Sequence, residues 1–245
     1  MVTLQCQEKQ FIGVRAVIFD KDGTLANVES FLRNLAYRRV RIIDAQVPGV
    51  QEPLLMAFGV DADQIHPAGL MAVGSRQENE IAAAAYVAEA GRDWAEALRI
   101  VRAAFAEADQ ETQQKADQTP LLEQALPLLD RLASAGLKLG MLSSDSSRNV
   151  QEFIARYQLE EHFLVQSGVD GFLSKSEPLL LEKVLFQLGV IPEETIIVGD
   201  SDIDVQIARS SGCQGCIGVT GGWSKPPMIH ADVLVTHLSE IHTLS

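Results

Sequence analysis

Short apolar runs recur along the chain with helix-period segments between them. Ala16 to Phe19, Leu137 to Leu142, Phe163 to Val165, Thr195 to Val198, Cys213 to Val219 and Asp232 to Val235 each read as a strand. Between them, EQALPLLDRLASAG sets Leu122, Ala125, Leu126, Leu129 and Leu132 at helical spacing and stops at Gly136, and EPLLLEKVLFQLG repeats the design and stops at Gly189. Strand and helix alternate, which predicts an α/β fold: a doubly wound parallel sheet with its site at the carboxyl ends of the strands. From about Val28 to Ala116 the strand signal lapses. There Trp94, Leu98, Val101 and Phe105 fall on one helical face, Phe31, Leu35, Ile42 and Ile43 form a similar stripe around the basic segment YRRVR, and VPGV, HPAG and SRQEN punctuate at least four helices. The expected organisation is a Rossmann-like core of residues 1–28 and 117–245 with a compact all-helical insert, residues 29–116, between the first and second strands.

Composition narrows the partners. The 245 residues are 47% hydrophobic, enough for a packed interior, and carry 33 acidic against 20 basic side chains for a formal charge of -13. No Lys/Arg block offers a track for duplex nucleic acid, although a bound divalent cation would still let an acidic protein take a small phosphorylated substrate. Cys213 and Cys216 form a C-x-x-C, but CQGCIGV reads as a strand, in which residues three apart point to opposite faces and cannot converge on one metal. Two small core side chains are expected instead. No apolar run reaches membrane-spanning length and MVTLQCQEKQ lacks a signal-peptide core, so a cytoplasmic protein with no membrane association is expected.

The candidate chemistry starts at FDKDGTLAN, residues 19–27, where an apolar run ends in two carboxylates flanking a lysine. Extended geometry through this point would place Asp20 and Asp22 on one side of the strand and turn Lys21 away from them, to packing or an ion pair outside the site. Gly23 then permits a sharp departure of the backbone. Two adjacent carboxylates repel unless a cation lies between them or one holds a proton. Such a pair can supply a nucleophile and a neighbouring general acid and base. A second strand, in IIVGDSDIDVQIARSSG, also ends in acidic residues, Asp200, Asp202 and Asp204. A hard divalent ion such as Mg²⁺, which takes oxygen ligands, accounts for both. Asp202 is expected to be a helix-start acid, Asp145 to cap the helix after SSDSS, and Thr220-Gly221-Gly222-Trp223 either to line the rim of the site or, more simply, to be a turn.

FDKDGTLAN, MLSS, KSEP and VGDSDID, in that order, resemble the four motifs of the haloacid dehalogenase superfamily, in the branch of phosphoglycolate phosphatases and β-phosphoglucomutases. The resemblance covers residues 14–27 and 120–235; the helical insert matches only in position, as a cap. It implies a Rossmann-like core and an aspartyl-phosphate formed in a magnesium site. By the same resemblance Asp20 is the nucleophile, and Asp22 is the acid that protonates the leaving oxygen and then activates water. Ser143, Ser144, Lys175, Gly23 and Thr24 bind the phosphoryl group, with Ser143 and Lys175 also catalytic. Asp20, Asp22 (through its carbonyl), Asp200 and, in the outer shell, Asp204 serve the metal. Where the family often has Lys-Pro-x-Pro, this chain has Lys-Ser-Glu-Pro and keeps only Pro178.

The implied activity is Mg²⁺-dependent hydrolysis of a small phosphorylated metabolite of the phosphoglycolate, sugar phosphate or nucleotide type. A β-phosphoglucomutase-like phosphomutase is the enzymatic alternative, and a non-catalytic phosphoacceptor or binding module the remote one. Receiver domains carry the acidic pair and the acceptor on different strands and have no insert of this size, while a dehalogenase has no use for Asp22. Arg33, Arg38, Arg39, Arg41, His66, Ser75 and Arg76 are available in the insert to read a substrate, although most are expected at the surface.

Overall fold

The computed structural model describes residues 2–111, 115–170 and 174–244. The chain opens with β1 (Val2–Cys6), β2 (Lys9–Val14) and β3 (Ala16–Phe19). It continues through α1 (Glu29–Gln46), α2 (Gln51–Phe58), the short strands β4 (Val60–Asp61) and β5 (Gln64–Ile65), α3 (Leu70–Val73), α4 (Arg76–Glu89), α5 (Trp94–Glu111) and α6 (Lys115–Gln118). The remainder alternates α7 (Ala125–Ser134), β6 (Lys138–Leu142), α8 (Ser147–Arg156), β7 (Phe163–Ser167), α9 (Pro178–Leu188), β8 (Thr195–Gly199), α10 (Asp202–Ser210), β9 (Gly215–Val219) and β10 (Val233–Val235), and closes on β11 (Ile241–Leu244). Two compact units result: Met1–Val28 with Thr119–Ser245, and Glu29–Gln118. No described helix is long and apolar enough to cross a membrane.

In the first unit, six strands pair in parallel in the order β10-β9-β8-β3-β6-β7. Chain order reverses between β3 and β8, and a crevice outside the carboxyl ends of those two strands is where such sheets bind ligands. Every residue of β3 and β8 is buried, so each reads as a continuous apolar run rather than an alternation. Helix α9 packs Leu181, Val184, Leu185 and Leu188 into the core that also holds Ile18 and Ile197. Burial of each such aliphatic side chain contributes about 1.5–3 kcal/mol. The helix has Pro178 at its first position and ends at Gly189, whose φ of 62° is the left-handed closing conformation glycine adopts without a Cβ clash.

Two further features frame this unit. A three-stranded antiparallel sheet, β11-β1-β2, joins the two ends of the chain. The other is a stem at the boundary of the units: Ala26 bridges Leu121, Asn27 N donates to Pro120 O at 2.9 Å, and Leu122 N donates to Leu25 O at 2.8 Å.

The second unit is helical apart from the β4–β5 pairing of Val60 with Ile65 and Asp61 with Gln64, which departs from the all-helical expectation by two residues a side. The buried face of α5 is Ala97, Ile100, Val101, Ala104, Phe105 and Ala108, with Trp94 49% exposed, so the stripe lies one step round from the expected one. Alanines carry much of that face, and a reading that counts large residues passes over them. In the first unit, the strand expected from Cys213 starts at Gly215. Cys213 N instead closes α10 by donating to Ala208 O at 2.9 Å, with Gly212 at φ 72°. Both cysteines are free thiols, one before the strand and one within it.

Candidate active site

The loop after β3 is built by its backbone. Asp20 N donates to Val198 O at 2.8 Å, which extends the β3–β8 ladder by one residue and fixes Asp20 at the point of order reversal. The extended geometry then stops. Lys21 O accepts from Leu25 N and Ala26 N, each at 2.9 Å, and Gly23 turns the chain at φ 79°. A Cβ at Gly23 would stand 2.3 Å from Asp200 Oδ2 and 2.4 Å from Trp223 Nε1, so glycine is required here for space as well as for its dihedral.

Asp20, Lys175, Asp200 and Asp204 converge in a buried cluster. Lys175 Nζ donates at 2.6 Å to Asp20 Oδ1 and at 2.6 Å to Asp204 Oδ1. Asp204, in the first turn of α10, accepts from Ser201 N at 3.2 Å and Ser201 Oγ at 2.7 Å through its other oxygen. Asp200, directly after β8, accepts from Trp223 Nε1 at 2.6 Å and Thr24 Oγ1 at 3.2 Å. Each of the three aspartates offers an oxygen within 4.8 Å of the others', and this is the one such metal-competent cluster found among the described residues.

Burial pushes the Asp20 carboxyl up to about 6 despite Lys175, with Asp204 and Asp22 adding to the rise. Asp200 is held well above the usual carboxylate range by burial and then by the charges of Asp20 and Asp204. Burial acts to lower Lys175, but its two carboxylate partners outweigh this and its pKa is raised. The cluster therefore carries more negative charge than one ammonium offsets, and all its free donors are oxygen. That donor set fits a hard divalent cation.

The remaining candidates divide. Ser143 is buried at the end of β6, one strand over from Asp20, with Met141 opposite Phe19; its Oγ accepts from Asp145 N at 3.2 Å, and Ser144 beside it is exposed. Asp145 does not cap α8. Ser146 does, accepting from Asn149 N at 3.2 Å, and Asp145 instead pairs with Lys21 at 3.1 Å. Lys21 also pairs with the Asp22 carboxylate. The ion pair expected outside the site is made with Asp145, but a second one is made with Asp22, a candidate site residue, because the turn at Lys21 ends the alternation that would have separated the two. Asp202 begins α10 and accepts from His230 N at 2.8 Å.

In the helical unit, Arg39 is buried, an exception among residues most of which were expected at the surface. It pairs with Asp109 at 3.1 Å, with its guanidinium 4.1 Å from the centre of the Phe105 ring. Ser75 caps α4 reciprocally with Glu78, His66 accepts from Ala68 N at 3.1 Å, Arg76 pairs with Glu80 at 2.8 Å, and Arg33 donates to Asp63 O. Arg38 and Arg41 line a cleft of about 460 Å³ together with Asn34, Tyr37 and Gln51.

The contact of Trp223 with Asp200 was not legible in the sequence beyond Thr220-Gly221-Gly222-Trp223 lining the rim or being a turn. The double glycine was the available signal, since a Cβ at Gly222 would lie 1.8 Å from Gly23 O. Gly222→Ala is expected to cost about 3 kcal/mol by forcing these loops apart. For a chain of this length that corresponds to a Tm lower by about 6–12 °C in a thermal melt.

Residues 14–212 match the family described as haloacid dehalogenase-like hydrolase. The phosphoglycolate phosphatase of Yersinia pestis is 26% identical over 237 residues, covering 95% of this chain and 93% of its own. Two solved structures share the fold. One is a Haemophilus somnus protein predicted to be a phosphoglycolate phosphatase, with TM-score 0.66 at 21% identity over 93% of this chain and 96% of that one. The other is a Thermotoga maritima protein assigned as a β-phosphoglucomutase, with TM-score 0.59 at 23% identity over 91% and 94%. With its reversal-point aspartate, its ordered motifs and this match over most of its length, the chain belongs to the haloacid dehalogenase-like hydrolases.

Proposed function

We propose that the protein is a Mg²⁺-dependent phosphatase that hydrolyses a small phosphomonoester through an aspartyl-phosphate on Asp20. The observation that carries the reading is Lys175 bridging Asp20 and Asp204 beside Asp200, in a buried cluster at the order reversal of the sheet. Asp20, Asp200 and the Asp22 carbonyl would hold the ion, with Asp204 behind them. When bound, Mg²⁺ supplies charge that offsets the phosphoryl oxygens and orients the phosphorus toward Asp20.

Each step falls to a named side chain. Lys175 holds Asp20 Oδ1, leaving Oδ2 to attack phosphorus in line with the departing oxygen. As the Asp20–phosphorus bond forms and the ester P–O bond breaks, Asp22 gives its proton to the leaving oxygen. Ser143 binds a phosphoryl oxygen and Lys175 neutralises charge spreading onto the group, whereas Gly23 and Thr24, expected to bind it, have their N–H groups turned to Ala26 O at 2.9 Å and Lys21 O at 3.4 Å and serve to shape the loop. Asp22 then takes a proton from water as that water attacks the phosphorus, which releases phosphate and restores Asp20. The helical unit is assigned the selection of the substrate, since the groups given chemical roles all lie on the α/β unit.

The test is a panel of phosphorylated metabolites assayed for phosphate release with Mg²⁺ and with chelator, compared by kcat/KM. The expected result is Mg²⁺-dependent release from a narrow set of phosphomonoesters, phosphoglycolate among the first to try. Isomerisation of a sugar phosphate without net phosphate release would replace this reading with a phosphomutase.

A further inference from the structure

Lys21 is a charged side chain only 1% exposed, and the chemistry above makes no use of it. Its ammonium meets the Asp22 carboxylate on one side and Asp145 Oδ2 at 3.1 Å on the other, and stands 5.3 Å from the centre of the Phe153 ring. Asp145 is itself fixed. Its Oδ1 accepts from Ser146 N at 3.0 Å and Asn149 Nδ2 at 2.6 Å, its own N–H donates to Ser143 Oγ at 3.2 Å, and its carbonyl accepts from Val169 N at 2.7 Å. An ammonium removed from water costs stability unless its partners repay it, and breaking such a buried set by deleting one member leaves the others uncompensated.

We propose that Lys21 is a positioning residue for the reaction. It ties the Asp22 carboxylate to Asp145, so that the acid and base of the β3 loop is held at a fixed place relative to the Ser143 loop that follows β6. The proposal rests on the reading of Asp22 as acid and base. Lys21 touches neither substrate nor metal in this scheme; it acts through Asp22. A methylene stem with no ammonium would fill the same space against Phe153 but remove the tie between Asp22 and Asp145. A positioned group contributes by being in place before the reaction, so the loss belongs to the transition state rather than to substrate binding.

The experiment is a double-mutant cycle of Lys21→Met and Asp22→Asn, measured as kcat and KM in Mg²⁺ on an alkyl phosphomonoester and on p-nitrophenyl phosphate. Lys21→Met is expected to lower kcat/KM on the alkyl ester about 10- to 100-fold with KM changed less than about threefold, in the range found for groups that orient reacting residues. The loss should be smaller on p-nitrophenyl phosphate, whose leaving group needs little protonation. In the Asp22→Asn background the same substitution should change kcat/KM less than about twofold. Asp145→Asn provides a second arm should Lys21→Met fold poorly, with a several-fold loss that again vanishes in the Asp22→Asn background. Losses from Lys21 and Asp145 that multiply in full with that of Asp22→Asn would overturn the positioning role while leaving the reading of Asp22 intact. Unchanged activity in Asp22→Asn alone would overturn that reading, and the proposal with it.

Discussion

Asp20→Asn is expected to abolish turnover while leaving the fold in place. The amide is isosteric and can still accept from Lys175, whose second partner Asp204 remains at 2.6 Å, so no buried charge is stranded. What is lost is the electron pair that attacks phosphorus. Removing a covalent nucleophile from a site that otherwise survives costs about 10⁴-fold or more in kcat. The measurement is steady-state phosphate release by the variant beside an acid quench of the native enzyme. The quench should trap a hydroxylamine-labile phosphoryl group on the native chain and none on the variant. Turnover by Asp20→Asn at the native level would falsify the covalent route.

Asp200→Asn is expected to separate activity from stability, with opposite signs. The folded-state pKa of Asp200 lies well above the unfolded value of about 3.9, so the folded chain holds a proton that the unfolded chain gives up. A group shifted in that direction contributes stability below the unfolded pKa and loses it as pH rises through the folded one. At pH 7.5, without metal, Asp200 is ionised in the unfolded chain, and folding must either bury that charge or take up a proton; either is a cost, imposed first by burial and then by Asp20 and Asp204. Asparagine removes the titrating group and that cost with it. It can still accept from Trp223 and can offer its amide to Thr24 Oγ1, so the two hydrogen bonds that fix the side chain are kept in number. Metal-free Asp200→Asn should melt above the native protein at pH 7.5, by about 2–4 °C for each kcal/mol relieved. The gap should close as pH falls toward about 4. Mg²⁺ should raise the Tm of the native chain and not that of the variant, and kcat/KM should fall at least about a hundredfold, or about 2.7 kcal/mol of barrier. A variant less stable than the native protein without metal at neutral pH would contradict this account of the cluster.

The parallel sheet was legible because strands buried on both faces are written as uninterrupted apolar runs, as in Ala16–Phe19 and Thr195–Gly199. The N-terminal strands were not. Lys9–Val14 alternates weakly and joins Val2–Cys6 through a turn in which Gln7 adopts φ 53°, a position that announces itself when it is Asn or Gly and not when it is Gln. The carboxylates of the cluster could be named from their order along the chain, since each follows a strand end or opens a helix. Where Asp22 points is not legible, because it lies two residues past Asp20, where the backbone abandons the extended geometry on which alternation depends. Nor is the grip of Trp223 on Asp200, a contact between loops 23 residues apart. Both gaps have one cause: periodicity describes elements, and the side chains in question leave from turns.

The stem formed by Leu25–Asn27 against Pro120–Leu122 has a consequence for how freely the stretch it carries can change. The α/β unit closes its own hydrogen bonds at the very place where the chain departs and returns, so the intervening stretch is, thermodynamically, a loop on a hairpin base. The entropy of closing such a loop grows only with the logarithm of its length. Lengthening, trimming or exchanging what is carried on that base should therefore cost the α/β unit little closing entropy and leave the hydrogen bonds around Asp20 as they are.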